Sequence, residues 1–511
     1  MRLPAVVLQV ALLLSWTAAP VKAGSYDLGA IDAFVKSEMG QLAIPGLAVA
    51  VVDGDRIVHA RGFGVADESG RRVTAQTPFR LASTSKAFTG LAVMQLFEAG
   101  RLDLDRTVRS YLPWFTTDDP IASGRITLRQ LLSQTSGLST ATGNADNLED
   151  DVAAGALERG VRRLSAQALV SAPGAEFHYS NSNYEVLGLL VEVAAGESFG
   201  AYLDEHVFQP LDMRHTHTSL AAAEADGLAK GYYRWFGVAS IPTEFPFSTA
   251  SVPAAGIFSS AEDLAHALIV HLNSGRYAGR SVLSPAGIEQ LHAGTAAAPG
   301  YATRYAMGWF VHPFYGDPEL STATSQFELP LVLDHTGTWS NYHSVMILLP
   351  GLRLGAVLLA NRYDGTSKGR FARLQYGLER LLVGQGPPDP DAIPDDPLAR
   401  NGLLLLSIAS ALQLAVLGAW LAARRRPAGS RRARLLRQSL SIVVLSVDLA
   451  GLAFLWFVLP GMFDERWDNL PRGTPDIGLL MGAFTVTATI WLAICGIGAG
   501  RLLWLKRAPH P

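Results

Sequence analysis

The hydrophobic pattern of the chain alternates between short β-type runs and longer helical spacings. Residues 46–52 form an apolar, β-branched run, residues 53–55 are a turn signal, and residues 56–64 resume the extended pattern, which predicts a β-hairpin. Residues 344–349 and 352–360 are again β-like. Apolar residues recur at helical spacing in six segments, which predicts helices at about 83–99, 126–132, 184–195, 201–208, 260–273 and 371–382. A polar stretch predicts a loop at 140–151.

Two of the predicted helices carry specific boundary signals. Thr127 is placed as an N-cap for the helix at 126–132, and Gly100 is a natural residue to end the helix at 83–99. Because predicted strands lie near both ends of the segment 46–382 and predicted helices lie between them, we predict an α+β fold of the α/β sandwich type. Its antiparallel sheet would be built from both chain ends, with flanking helices and a helical lobe inserted between them.

The N-terminus has the features of a secretory signal peptide. Residues 1–23 contain Arg2, an apolar run at 5–16 and a small-residue cleavage site at 21–23. An N-terminal anchor helix is the alternative interpretation, but the apolar run is short for a membrane span. We therefore expect residues 24–384 to form an exported domain.

Three apolar stretches follow a linker at 385–399 that is rich in Pro and Asp. Each is long enough to cross a bilayer, which predicts a membrane domain at 400–511 with spans at about 403–422, 440–463 and 477–503. Arginines fill the loop after the first stretch and basic residues follow the third, so the positive-inside rule places both in the cytoplasm. We expect a multi-pass protein of the cytoplasmic membrane, with the exported domain on the periplasmic or extracellular side and a cytoplasmic C-terminus.

Asp448 falls inside the second apolar stretch. A carboxylate at this depth is costly and often functional, although it could also face the neighbouring helices or an interfacial water. The sequence leaves both roles open.

Charge is distributed unevenly along the chain. Residues 24–398 carry 27 basic and 40 acidic side chains, a net charge of −13, whereas residues 399–511 carry 13 basic and 5 acidic side chains, a net charge of +8. Such an acidic domain is poorly suited to nucleic acid. The only cysteine, Cys495, lies in the tail, so the exported domain has neither a disulfide nor a thiolate metal site and depends on its core.

Ser83 and Lys86 are the first candidates for chemistry. They lie three residues apart at the start of a predicted helix, so their side chains share one face near the helix N-terminus. A serine needs a neighbouring base to become a nucleophile, and a desolvated lysine can act as one. Among the six lysines only Lys86 has a serine three residues before it, although a single pair of this kind also occurs by chance.

Two later segments offer the other groups that a serine acylation site needs. Tyr179 and Asn181 follow a Pro-Gly turn, and both could point from a loop into one cleft. A nearby lysine ammonium can lower the pKa of a tyrosine, which then acts as a general base; capping and packing are the alternative roles. In the segment 333–339, Gly337 would admit a substrate backbone and the next N–H could point at an oxyanion, although the glycine could equally mark a bulge.

These segments together resemble a known superfamily. Ser83-Thr84-Ser85-Lys86, Tyr179-Ser180-Asn181 and His335-Thr336-Gly337 occur in the order and approximate spacing of the three active-site motifs of serine β-lactamases and penicillin-binding proteins. The chain is most similar to the branch of class C β-lactamases and D-alanyl-D-alanine carboxypeptidases. Flanking segments match at 100–105, 126–138, 253–256 and 307–309, and the resemblance covers residues 26–383.

The resemblance implies a role for each matching residue. Ser83 would be the acylated nucleophile, Lys86 its proton acceptor or electrostatic partner, and Tyr179 the proton shuttle for acylation and deacylation. The residues that would bind substrate are Asn181, His335, Thr336 and Gly337. The oxyanion hole would be formed by the backbone N–H groups of Ser83 and Thr338. The resemblance implies no metal and no organic cofactor.

His335 stands where many β-lactamases carry lysine, and a neutral imidazole attracts a substrate carboxylate less strongly than an ammonium does. The resemblance therefore favours a serine hydrolase of amide or ester bonds in D-amino-acid or cell-wall-type peptides. A carboxylesterase or a β-lactamase of the same fold is the first alternative. A penicillin-recognising sensor or scaffold with little turnover is the second alternative. The predicted three-helix tail favours it, because one span would suffice as an anchor.

Other chemistries have weaker support in the sequence. His215 and His217 could place two imidazoles on one strand face, but no third metal ligand is evident. The absence of a Gly-x-Ser-x-Gly elbow argues against an α/β-hydrolase. The aromatic-rich segment 232–247 would either line the cleft or pack within the lobe. As partners we expect a small-molecule or peptide substrate and membrane lipid, but no nucleic acid; protein partners stay open.

Overall fold

The computed structural model of the 511-residue protein describes residues 26–145, 149–300, 302–314, 330–363, 365–390, 393, 404, 407–408, 410–418, 439, 445–446, 449–458 and 473–507. The predicted signal peptide, Asp448 and the arginine-rich loop of the tail lie outside these residues.

The strands lie mainly near the two ends of the segment 24–384. Their bounds are β1 Gly46–Asp53, β2 Arg56–Gly64, β3 Phe79–Arg80, β4 Tyr232–Trp235, β5 Ala239–Pro242, β6 Phe258–Ser259, β7 Arg276–Tyr277, β8 Arg280–Ser281, β9 Ala296–Ala297, β10 Arg304–Tyr305, β11 Phe310–Pro313, β12 Leu331–Trp339, β13 Tyr342–Leu349 and β14 Leu354–Ala360.

The helices fill the segment between these strands and flank the sheet. Their bounds are α1 Leu28–Leu42, α2 Ser85–Glu98, α3 Pro120–Ser123, α4 Leu128–Leu132, α5 Thr140–Ala145, α6 Ala156–Arg163, α7 Asn181–Ala195, α8 Phe199–Leu203, α9 Leu220–Ala225, α10 Val252–Ala255, α11 Ala261–Leu272, α12 Pro285–His292, α13 Lys368–Leu382 and, in the tail, α14 Pro475–Arg507.

One eight-stranded sheet joins the two ends of the segment 24–384. Its strand order is β2-β1-β14-β13-β12-β11-β10-β9, and all of its strand pairs are antiparallel. The pairing of β1 with β14 runs from Leu47 opposite Ala360 to Asp53 opposite Leu354. The predicted antiparallel sheet and the predicted hairpin at its N-terminal end are therefore confirmed.

Helices cover both faces of this sheet. Successive side chains of a strand point to opposite faces, so Leu47, Val49 and Val51 of β1 join the core that contains α1 and α13. Ala48, Ala50 and Val52 join the larger core that contains α2, α7 and α11. The helical lobe inserted between the strands packs on this second face, which also carries the candidate site.

Both predicted helix boundaries are confirmed by their geometry. Thr127 caps α4, and its side chain accepts a hydrogen bond from the Gln130 N–H while the Gln130 side chain accepts one from the Thr127 N–H. This reciprocal arrangement satisfies two N–H groups that the first turn of a helix leaves without partners. Gly100 follows the end of α2 with φ of +68°, a left-handed conformation that favours glycine.

The structure corrects two local predictions. Part of the predicted loop at 140–151 is helical, because the Ser139 hydroxyl accepts a hydrogen bond from the Thr142 N–H and α5 packs tightly on the start of α7. Helix α7 begins at Asn181 rather than at Tyr184. Ser and Asn are favoured at helix starts for their hydrogen bonding rather than their apolarity, so hydrophobic spacing misses such a first turn.

Helix α14 covers the third apolar stretch predicted in the tail. Within the described part of the chain no single helix has both the length and the apolarity to cross a bilayer. One adjoining pair, residues 181–195 with 199–208, meets both requirements together but is bent by 79°. The three predicted membrane spans stay a prediction.

Candidate active site

Ser83 lies in a tight 3-10 turn between β3 and α2. This turn spans Ala82–Thr84, and α2 begins at Ser85, so Ser83 precedes the α-helix that the sequence predicted it to open. Ala82 has φ of +49°. A residue with a Cβ atom rarely adopts this conformation, and such strain is concentrated at functional sites.

Lys86 brings three elements of the fold together. Its side chain is completely buried, and its Nζ atom lies 3.3 Å from the Ser83 Oγ atom. The same nitrogen donates hydrogen bonds to the Asn181 Oδ1 atom at 2.6 Å and to the Ala254 carbonyl oxygen at 2.8 Å. The pairing of Ser83 with Lys86 that the sequence suggested is thus present, and Asn181 joins it.

Burial lowers the pKa of Lys86 to about 7, against the opposing effect of the Glu185 charge. Desolvation disfavours the charged amine because the interior solvates an ion less well than water does. A substantial fraction of Lys86 is consequently neutral near pH 7 and able to accept a proton.

The Tyr179 ring lies beside the same amine, with 4.8 Å between the ring centre and Lys86 Nζ, and the Tyr179 side chain hydrogen-bonds Ser83. The sequence had suggested that a neighbouring ammonium could lower its pKa, and this expectation is wrong. Burial of its hydroxyl, together with the electrostatic effect of the neighbouring Tyr305 phenol, raises the pKa of Tyr179 well above 10 despite the hydrogen bond to Ser83. Tyr179 is therefore a neutral phenol at physiological pH.

Asn181 is the first residue of α7, not a loop residue. Its Nδ2 atom donates to the Asn144 Oδ1 atom at 3.1 Å, which fixes the amide with its oxygen toward Lys86. The backbone around it is held by Gln134, whose Oε1 atom accepts a hydrogen bond from the Ser180 N–H at 2.9 Å. Gln134 itself has φ of +61°, another left-handed position close to the site.

The third motif lies on β12, which packs directly against the turn that precedes Ser83. A Cβ atom on Gly337 would lie 1.9 Å from the Leu81 carbonyl oxygen, so only glycine fits at this crossing. The Ser344 hydroxyl on β13 donates to that same oxygen at 2.5 Å. Thr336 is half-buried and Thr338, the next residue after Gly337, is exposed at the strand end.

His335 is almost completely buried beside Tyr179 and Tyr305. Its Nδ1 atom lies 2.8 Å from the Thr336 carbonyl oxygen, so this nitrogen carries the proton and Nε2 faces the Tyr305 hydroxyl at 3.4 Å. Burial, and secondarily the charge of Lys86, lowers the pKa of His335 to about 3. His335 is a neutral imidazole, as its comparison with the usual lysine had suggested.

A family model described as Beta-lactamase matches residues 31–379, more than half of the chain. The chain belongs to the Beta-lactamase family. The superfamily that the three motifs indicated, serine β-lactamases and penicillin-binding proteins, is therefore confirmed.

Curated relatives agree with this family. Protein flp of Staphylococcus aureus (strain MW2) is 30% identical over 341 residues, which cover 65% of this chain and 62% of flp. The match thus spans less than two thirds of the length of that relative. Penicillin-binding protein 4 of Amycolatopsis lactamdurans is 28% identical over 367 residues, covering 69% of this chain and 90% of the relative.

Solved structures superimpose on about 70% of the chain. A class C beta lactamase from Rhodobacter sphaeroides has a TM-score of 0.56 at 25% identity, and EstCE1, a hydrolase with promiscuous acyltransferase activity, has 0.57 at 25%; each match covers 70% of this chain and 99% of the other. D-alanine carboxypeptidase AmpC from Burkholderia cenocepacia, at 23% identity, shares the fold with a TM-score of 0.56 over 70% and 98% of the two chains.

Several residues around this Beta-lactamase-type site were not assigned a role from the sequence. The Ala254 carbonyl lies in a segment noted only as a flanking match, yet it binds Lys86 directly. Tyr305 and Phe310 enclose Tyr179, with the Phe310 ring stacked on Tyr179 at 6.4 Å. The carbonyl carries no side-chain signal, and aromatic residues are common in ordinary cores.

This Beta-lactamase family member has two further clusters of histidine and acidic side chains. His215 and His217 both hydrogen-bond the Asp226 carboxylate, at 3.0 and 2.8 Å, so a third group absent from the sequence prediction is present. The two histidines are thus joined through one carboxylate, and no hydrogen bond links them directly within the described residues. Buried His312, Asp334 and Glu379 also approach one another, with His312 Nε2 2.9 Å from the Asp334 carboxylate.

Proposed function

We propose that this protein is a membrane-anchored serine hydrolase that forms an acyl-enzyme on Ser83. The observation that carries this proposal is the convergence of one buried amine on the serine hydroxyl, with Lys86 Nζ 3.3 Å from Ser83 Oγ. An activated nucleophile requires a base within reach and a group that orients that base. Lys86 supplies the base, and Asn181 with the Ala254 carbonyl orients it.

In the acylation step, the Ser83 oxygen attacks the substrate carbonyl carbon and its proton passes to the neutral Lys86 amine. The tetrahedral adduct then collapses, the bond to the leaving amine or alcohol breaks, and the leaving group takes up that proton. Water next attacks the ester carbonyl, the bond to the Ser83 oxygen breaks, and the proton of the water restores the Ser83 hydroxyl. No redox change and no co-reactant other than water is needed.

Tyr179 acts in this scheme as a proton shuttle between Lys86 and the leaving group. Its hydroxyl bonds Ser83 and its ring lies over Lys86, so it stands between donor and acceptor. Because its pKa is raised well above 10, it transfers a proton by donating one while receiving another, not as a stable phenolate. This assigns the base to Lys86 and the relay to Tyr179.

Substrate would lie along β12. The backbone N–H groups of Ser83 and Thr338 would stabilise the oxyanion, which is supported by the close crossing of Gly337 over Leu81. Asn181, Thr336 and Gly337 would orient the acyl part of the substrate. His335 would offer a neutral imidazole rather than a cation at the substrate-binding strand. This suits substrates whose binding does not depend on an ion pair between a substrate carboxylate and an ammonium group.

The substrates that fit best are amides or esters of D-amino-acid or cell-wall-type peptides. A carboxylesterase or a β-lactamase is the alternative within the fold. The likeness to a class C beta lactamase supports the β-lactamase, and the likeness to EstCE1, a hydrolase with promiscuous acyltransferase activity, supports a hydrolase that works through acyl transfer. The name of the relative Penicillin-binding protein 4 supports penicillin binding, which the second alternative, a penicillin-recognising sensor with little turnover, requires. The complete set of Ser83, Lys86 and Tyr179 favours turnover over sensing.

We further propose that the signal peptide and three tail helices place this site outside the cytoplasmic membrane, with the C-terminus in the cytoplasm. The split in charge between the acidic domain and the basic tail supports that orientation. No metal or organic cofactor has a part in the proposed reaction.

The test is active-site labelling of the full-length protein with a fluorescent fluorophosphonate and a fluorescent penicillin. We expect fluorophosphonate to label the wild type and not Ser83→Ala. Ser85→Ala is the matched control, because that hydroxyl accepts a hydrogen bond from the Ile257 N–H, whereas the Lys86 amine donates to Ser83, Asn181 and Ala254. Absence of any Ser83-dependent adduct with either probe would contradict the proposal.

Turnover then separates the alternatives. Purified protein would be assayed on D-Ala-D-Ala peptides, nitrocefin and short-chain nitrophenyl esters. Release of D-alanine supports the peptidase, fast ester cleavage with slow penicillin turnover supports the esterase, and nitrocefin hydrolysis supports the β-lactamase. A stable penicillin adduct without turnover of any substrate supports the sensor.

A further inference from the structure

The start of the C-terminal helix α14 is fixed to the hairpin β4–β5 of the exported domain. The Asp476 carboxylate is completely buried and accepts hydrogen bonds from the Tyr233 hydroxyl at 2.6 Å and the Phe236 N–H at 2.8 Å. It also accepts one from the Ile477 N–H of its own helix at 2.9 Å. A buried carboxylate is costly unless donors surround it, and the N-terminus of a helix favours negative charge. Asp476 therefore makes a specific contact between the tail and the hairpin.

The same short segment also contacts the turn that follows β12. The Ser340 hydroxyl donates to the Gly473 carbonyl oxygen at 2.7 Å. Ser340 lies in the turn between β12 and β13, two residues beyond Thr338. Residues 473–476 thus reach the end of the strand that carries the third active-site motif.

The hairpin and this turn are joined to each other as well. The Asn341 side chain donates to the Thr243 carbonyl oxygen at 2.7 Å, and Thr243 accepts a hydrogen bond from the Trp235 indole at 3.1 Å. On the other side, the Arg80 guanidinium lies 3.5 Å from the ring centre of Trp339 at the end of β12. Arg80 ends β3, and only Leu81 separates it from the turn that contains Ser83. The contacts therefore form a continuous link from α14 to the nucleophile.

We propose that residues 473–476 are a positioning element of the acylation site, with Asp476 as its main positioning residue. By holding the hairpin and the β12–β13 turn together, they keep the Thr338 N–H at a fixed place relative to Ser83. Asp476 touches no reacting atom and acts only through the strand end. This inference rests on the proposed acyl-enzyme at Ser83, and it gives the tail a function besides anchoring.

The experiment measures the second-order rate of fluorophosphonate labelling, and kcat and KM for an ester, on full-length protein in detergent micelles. We expect Asp476→Asn to lower the labelling rate and kcat about tenfold, because the carboxylate charge strengthens bonds that the amide only partly replaces. KM should change less, since oxyanion donors act mainly on the transition state. Ser340→Ala should lower the same two rates in the same direction.

A double-variant cycle tests whether the Tyr233 bond carries the effect. Tyr233→Phe alone should slow labelling, and adding it to Asp476→Asn should slow labelling less than the product of the single effects, because both remove one contact. Two control variants should label at the wild-type rate: Thr489→Ala, whose hydroxyl bonds the Thr485 carbonyl within α14, and Asp105→Asn, an exposed carboxylate paired with Arg129.

The outcomes separate this inference from the proposed function. A wild type that is not labelled at Ser83 contradicts the proposed function itself. A wild type that is labelled, with Asp476→Asn and Ser340→Ala labelled at the same rate, contradicts only the positioning role. If the variants lose labelling only in proportion to a lower unfolding midpoint, and regain the wild-type rate well below that midpoint, the contact is merely structural and the inference is overturned.

Discussion

The Lys86 Nζ atom lies closer to the Asn181 Oδ1 atom, at 2.6 Å, than to the Ser83 Oγ atom, at 3.3 Å. Lys86 is in the first turn of α2 and Asn181 opens α7, so the N-terminal ends of two helices meet at this amine. An oxygen that accepts from the amine favours its charged form, whereas burial favours the neutral form. The balance between the two sets the protonation of the proposed base.

Acylation should depend on pH through Lys86. Its pKa is lowered to about 7 by burial, and the neutral amine is the form that accepts the Ser83 proton. The labelling rate should therefore rise as the pH increases through about 7 and level off above it. Measuring fluorophosphonate labelling between about pH 5 and pH 9 checks this. A rate that falls over that range would contradict the assignment of Lys86 as the base.

Substitutions of Asn181 should move that pH profile in opposite directions. Asn181→Ala removes an acceptor that favours the ammonium, so the pKa of Lys86 falls and the midpoint of the profile moves to lower pH. Asn181→Asp places a negative charge beside the amine, so the midpoint moves to higher pH. Both variants should lower the plateau rate, by about tenfold to a hundredfold, because Lys86 loses its orientation.

The same labelling series on Asn183→Ala serves as a comparison. That amide lies on α7 as well, but it hydrogen-bonds Ser136 and Gln134 rather than Lys86. Its midpoint should match that of the wild type. Equal midpoints in all three variants would show that Asn181 does not set the protonation of Lys86.

Gly337→Ala should nearly abolish acylation. The added Cβ atom would lie 1.9 Å from the Leu81 carbonyl oxygen and 2.2 Å from the Ser344 hydroxyl, so β12 must move away from the Ser83 turn. A displacement of about 1 Å can cost about a hundredfold in rate. Gly351→Ala is the matched control, because its Cβ would meet nothing within 4 Å. Labelling rates within about twofold of each other for the two variants would refute this close approach.

His312 should make stability depend on pH. Burial opposes its charge, but the hydrogen bond and charge of Asp334 outweigh burial and raise the pKa of His312 to about 9. The stability that the protonated His312 contributes is therefore fully present below the pKa of about 6.5 that it has in the unfolded chain. This stability is lost as the pH rises through about 9. His312→Gln should lower stability by about 3 kcal/mol near pH 6, a loss that shrinks above pH 9.

Unfolding by denaturant at a series of pH values measures this difference. His59→Gln provides a comparison, because that imidazole also bonds a carboxylate, Asp32, but lies nearer the surface on β2. A loss of stability in His312→Gln that is the same at pH 6 and above pH 9 would contradict the ionised pair.

Much of the fold was predictable because its strands and helices have distinct hydrophobic periods. The hairpin β1–β2, the strands β13 and β14 and the cap at Thr127 were identified from local sequence, and the structure contains each of them at the predicted place. The short helix α5 and the first turn of α7 were not, because their polar residues become helical through packing and side-chain capping.

The sequence by itself determined the chemical groups of the candidate site, since Ser83, Lys86, Tyr179 and Asn181 fall in recognisable motifs. Only the tertiary structure decided their protonation. The direction of the Tyr179 pKa shift was wrong from sequence because burial, which depends on the whole fold, outweighs one neighbouring charge.

The tertiary structure alone also decided which distant segments meet. The Ala254 carbonyl on Lys86, Gly337 against Leu81, and Asp476 with Tyr233 join residues that are 168, 256 and 243 positions apart. The local hydrophobic pattern determines which face of a helix or strand is apolar, but contacts between elements depend on how the whole chain packs. Every residue has a backbone carbonyl, so the sequence cannot indicate which carbonyl will contact Lys86.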